Sequence, residues 1–132
     1  MATASSRLAP PLALMALIFF LSAQPDLSTG LGGWDTVLRK GAHMTVYGLL
    51  WLAWWRALGF GSPWPAVALT LLYAVTDEWH QTFVEGRSGR PLDVAIDAVG
   101  VALAMLAVRW ARGRGRGPGP RRPARASRVR SR

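Results

Sequence analysis

Apolar residues in this chain come in four blocks, at 8–23, 44–58, 64–76 and 91–110, separated by short polar connections. This pattern restricts the fold more than any single motif. A helix of about twenty apolar residues crosses a bilayer, and 132 residues give one domain room for four such helices. The expected class is all-α. It is an integral membrane four-helix bundle over residues 1–112, with spans near 8–24, 40–59, 64–83 and 91–110, followed by a disordered basic tail at 113–132.

Local signals set the boundaries. The first block, LAPPLALMALIFFLSA, has the length of either a signal peptide's apolar region or a first span. Cleavage after Ala23 would put Leu21 where a small residue is required, which favours retention. Pro10 and Pro11 suit a helix's first turn, where a missing N–H costs little. Pro25, Ser28, Thr29 and three glycines make 24–34 a loop. The second helix is expected to start near Asp35 or Thr36, and Trp51, Trp54, Trp55 and Arg56 at its far end suit an interfacial aromatic belt. The turn GFGSP is short enough to make helices two and three an antiparallel hairpin. A third span beginning at Trp64 has to include Asp77 and Glu78 near its end. Gly86 and Gly89 then turn the chain, and Pro91 opens the fourth helix.

Charge supplies orientation. Ten of the sixteen Lys and Arg are arginines from Arg109 onward, directly after an apolar block. They read as a topology signal rather than a nucleic-acid surface. A basic tail belongs in the cytoplasm, and four spans return the amino terminus to the same side. The polar loops at 24–40 and 77–93 then share the outer face. With no cysteine there is neither a disulfide nor a thiolate site.

Polar residues gather at that face. Lys40, His43 and Tyr47 are spaced three and four apart, so a cation, an imidazole and a phenol share one helical stripe. They form either an anion or proton-transfer site or a snorkelling and interfacial series. Asp77 and Gln81 share a face of the third helix with Glu78 turned aside, as an acid–base site or as a helix end meeting water. Asp93 complements the fourth helix's dipole. Asp97 lies a turn deeper and requires a partner. Arg87 and Arg90 can grip a phosphate or carboxylate, or pair with these aspartates. Arg87 is expected on Asp93 or Asp97, with Lys40 and His43 facing Asp77 or Glu78. His43, Asp77, Glu78, His80 and Asp93 show no recognised metal-ligand spacing, so neither a metal nor a cofactor is assigned.

These residues resemble the VanZ-like family of small bacterial membrane proteins, named for a member linked to teicoplanin resistance. The likeness runs over 18–109. It begins at IFFLSAQP, continues through Arg39, Lys40, His43 and Tyr47 in RKGAHMTVYGLL, and is strongest in DEWHQTFVEGRSGRPLDVAIDAVG. The matching positions there are Asp77, Glu78, Gln81, Phe83, Arg87, Asp93, Asp97 and Gly100. Many relatives carry an acid immediately before the lysine, where this chain has Arg39. The resemblance implies membrane residence and a part in glycopeptide susceptibility.

Three roles fit this pattern. The first is a non-catalytic, envelope-modulating role at the outer leaflet, in which Lys40, Tyr47, Gln81, Arg87, Asp93 and Asp97 hold an anionic ligand. Candidate partners are membrane lipids, a lipid-linked cell-wall precursor, a glycopeptide and further copies of the chain, but not nucleic acid. In the second, a membrane enzyme acts on a lipid head group: His43 is the acid or base, Asp77 or Glu78 tunes it, and Lys40 and Arg87 hold phosphate. The third is a structural scaffold.

Overall fold

The structure, a computed structural model, describes residues 4–24, 32–87 and 89–115. Four helices account for nearly all of them: α1 (Ala4–Ser22), α2 (Gly33–Ala57), α3 (Trp64–Gln81) and α4 (Pro91–Arg114). Most of the expected 24–34 loop, and the tail beyond Gly115, lie outside the described residues. α1 begins earlier than its apolar block, so Pro10 and Pro11 sit inside the helix rather than in its first turn. α2 likewise starts at Gly33 and carries its polar stripe well before its apolar core.

α1 and α4 each pack on α2 and α3 but not on one another, so α2 and α3 form the centre of the bundle. The α2–α3 connection is tight because Gly59 and Phe60 both take positive φ (80° and 58°). The Trp55 indole caps this turn by donating to the Gly61 carbonyl at 2.8 Å, and the Phe60 ring packs edge-on against it. Trp51 and Trp55, expected in an interfacial belt, are instead buried and stacked on each other. They lie on the face of α2 that turns inward, so packing takes them out of the belt.

The bundle is inside-out relative to a water-soluble one. Asp97 and Asp77 are 1% and 2% exposed, whereas Leu72 and Leu106 are 66% and 61% exposed. Exposed tryptophans ring both ends, with Trp34 and Trp79 at one and Trp64 and Trp110 at the other. That distribution suits an apolar solvent with interfacial girdles. Among the described residues, α1 and α4 are long and apolar enough to cross a membrane. α2 and α3, with polar residues concentrated at one end, fall short of the same measure.

The most extensive interface is α2 on α4, and two glycines set it. A Cβ on Gly100 would overlap the Met44 backbone, so the helices touch main chain to main chain. Gly100→Ala is expected to cost about 1–3 kcal/mol, because its collision partner is backbone that cannot rotate away. At Gly48 an added methyl meets the Gly100 carbonyl oxygen at 3.1 Å and the Ala104 methyl at 3.2 Å. There a helix-propensity gain of about 1 kcal/mol offsets the crowding, so Gly48→Ala should be close to neutral. Unfolding titrations in mixed micelles check the order. Equal losses at the two sites would contradict this account of the interface.

Candidate functional site

The carboxyl end of α1, the first half of α2, the end of α3 and the start of α4 meet at one end of the bundle. The deepest polar element there is Asp77. Its Oδ2 accepts from Ser22 Oγ at 2.8 Å, Tyr47 OH at 3.1 Å and Gln81 Nε2 at 3.1 Å. Donors from α1, α2 and α3 therefore converge on one oxygen. Oδ1 of the same carboxyl is buried without a partner among the described residues.

Two pairs join α2 to α4. Lys40 Nζ lies 2.9 Å from Asp93 Oδ1 in a partly exposed ion pair. One turn deeper, His43 Nδ1 is 3.3 Å from Asp97 Oδ1, a hydrogen bond when the proton sits on Nδ1. Asp97 Oδ2 is buried without a partner among the described residues. The 82–90 loop folds back over α3. Glu78 Oε2 accepts from the Arg90 backbone N–H at 2.8 Å, and Gly89 lies so close to the Glu78 carbonyl that no Cβ would fit. Arg87 donates to Gln81 Oε1 at 3.4 Å and to the Leu21 carbonyl at 3.3 Å, tying the loop to the end of α1.

These pairings correct the expected ones. Arg87 makes no ion pair or hydrogen bond with Asp93 or Asp97, and Lys40 and His43 pair with Asp93 and Asp97 rather than with Asp77 or Glu78. The cause is the contact at Gly48 and Gly100, which turns the Lys40–His43 stripe onto α4 and leaves Tyr47, one turn on, to reach Asp77. Ser22 belongs to the network but was not singled out from the sequence. Its only signal was being the one hydroxyl at the end of an apolar block, inside IFFLSAQP.

Above this network lies a chamber of about 240 Å³. α2 lines it with Thr36, Arg39, Lys40 and His43, α3 with Glu78 and Gln81, the loop with Gly86, Arg87 and Arg90, and α4 with Asp93 and Ile96. Six of the nine candidate residues are on its wall. Tyr47, Asp77 and Asp97 are not on the wall; they are buried beside it, hydrogen-bonded within the bundle. Four guanidinium or ammonium groups face two carboxylates. The Arg90 guanidinium has no hydrogen bond or ion pair among the described residues. Also among the described residues, no three His, Asp or Glu side chains gather as a metal site.

A family model described as VanZ/LLP1 matches residues 7–112. The chain belongs to the VanZ/LLP1 family. The match takes in all four helices almost end to end, and with the two apolar helices it marks the chain as membrane-associated. Neither curated proteins nor solved structures give a match.

Double-mutant cycles should rank the pairs. The His43→Leu/Asp97→Leu cycle is expected to show coupling of about 1–3 kcal/mol, since each single change strands a buried polar partner. The half-exposed Lys40→Met/Asp93→Leu pair should show about 0.2–1 kcal/mol. Arg87→Met/Asp97→Leu should add within about 0.5 kcal/mol. Strong coupling in that last pair, measured by thermal unfolding in detergent, would contradict the observed arrangement.

Proposed function

We propose that this VanZ/LLP1-family chain is a multi-pass protein of the bacterial cell membrane that binds an anionic, phosphate-class envelope ligand without turning it over. The chamber is at the outer leaflet, both termini are cytoplasmic, and occupancy of the site alters glycopeptide access to the envelope. The observation that carries this proposal is the chamber's charge. Arg39, Lys40, Arg87 and Arg90 line it against two carboxylates, Glu78 and Asp93. Those two acids are already engaged, by the Arg90 N–H and by Lys40. An anion therefore meets a wall with more cations than carboxylates, on which the Arg90 guanidinium has no hydrogen bond or ion pair among the described residues and can make a charge-assisted hydrogen bond. Binding is preferred over head-group chemistry because the carboxylates a reaction would use are held by protein partners.

Inorganic phosphate, titrated calorimetrically into detergent-solubilised protein, should bind saturably. Arg90→Gln should weaken it about tenfold, the equivalent of one charge-assisted hydrogen bond of roughly 1.5 kcal/mol, with little effect on folding because that guanidinium has no partner among the described residues. Equal binding by the variant would refute the assignment.

The proposed topology has its own check. The chain has no cysteine, so single cysteines report cleanly. Glu85→Cys should react with a membrane-impermeant maleimide on intact cells, and Ser62→Cys should react only after permeabilisation. The reverse pattern would invert the topology.

A further inference from the structure

A second cavity of about 310 Å³ lies between α1 and α2, lined by Ile18, Leu21, Leu38, Ala42 and Val46 among others. Its polar rim is made of Asp35, Ser22, Arg39, His43 and Arg87. Three of these, Arg39, His43 and Arg87, also line the charged chamber. The two spaces are thus neighbours across one shared wall: cationic on one side, and apolar and facing the flank of the bundle on the other.

Neither space is roomy for a separate drug-sized ligand. Ordinary small-molecule sites run to about 300–1,000 Å³, so the chamber is small and the groove is at the lower limit. Together they match one molecule with a compact anionic head and a hydrocarbon chain. We propose that the ligand is a phosphate-headed lipid whose head sits among Arg39, Lys40, Arg87 and Arg90 and whose chain leaves sideways along the α1–α2 groove. This rests on the anion-binding role proposed above and adds the ligand's class and route of entry. Charge complementarity holds the head, and the adjacency of the two cavities along Arg39, His43 and Arg87 places the groove beside it for the chain. Entry is from within the bilayer, past Leu38 and Ala42, which are exposed on the surface of α2.

The probes are inorganic phosphate and dodecyl phosphate, titrated against protein in one non-ionic detergent so that micelle partitioning is common to every comparison. Ala42→Phe fills the groove from an exposed position outside the chamber. It should weaken dodecyl phosphate about tenfold and leave inorganic phosphate within twofold. A measurement on the wild type needs no variant: a dodecyl phosphate with a diazirine in mid-chain should label peptides containing Ile18, Leu21, Leu38 or Val46, and excess dodecyl phosphate should suppress that label. If the label spreads over Leu72 and Leu106 while phosphate still binds, the groove is overturned and the chamber stands. If Ala42→Phe weakens both probes equally, or neither, the chain route is likewise overturned. If the wild type binds neither probe, the anion-binding role fails and this inference fails with it.

Discussion

The bundle depends on a buried carboxylate and the donors that reach it. Asp77 sits at the junction of α1, α2 and α3, where burying an ionised carboxyl costs several kcal/mol. Hydrogen bonds to a charged group return about 1.5–3 kcal/mol each, and Asp77 receives one each from Ser22, Tyr47 and Gln81. All three converge on Oδ2 and offset part of that cost, while Oδ1 has no partner among the described residues. Their geometry also fixes the rotation of two helices about a third. Tyr73 reinforces this by donating to the Met15 carbonyl at 2.6 Å, a further α3–α1 tie deeper in the bundle.

α4 is held differently. It is drawn onto α2 by backbone contact at Gly100 and aligned by Lys40–Asp93 and His43–Asp97. The two devices divide the labour at the polar end. The Asp77 network makes a rigid floor, and the α2–α4 pairs make one wall. The loop carrying Arg87 and Arg90 closes over the top, seated on Glu78 through Gly89 and the Arg90 N–H. Four cations line the chamber against two carboxylates because Asp77 and Asp97 lie behind its wall, holding helices together.

Much of this was legible in the sequence. Apolar blocks and the punctuation of Gly59, Gly61, Pro63 and Pro91 give four helices in order, and periodicity places Lys40, His43 and Tyr47 on one stripe and Asp93 and Asp97 on another. Which stripes face each other was not legible. Periodicity assigns residues to a face of their own helix, but partners depend on helix rotation, which here is set by two glycines whose role appears only when the backbones meet. Arg87 was matched to Asp93 or Asp97 by its place in the family motif and its planar fork, whereas the loop's seat on α3 directs it to Gln81 and Leu21. Trp51 and Trp55 show the same limit from the apolar side, since an aromatic near a span's end has the same sequence signal in a belt or in a core.

The central claim is that the polar end of this bundle holds an anionic lipid and does more than clamp four helices. Native mass spectrometry of protein gently extracted from its own membrane tests this most directly. The account predicts a phosphorus-containing lipid adduct on the wild type that is lost from the Lys40→Met/Arg90→Gln protein, with both proteins folded and monodisperse. A folded wild type carrying no more such lipid than that variant would contradict it.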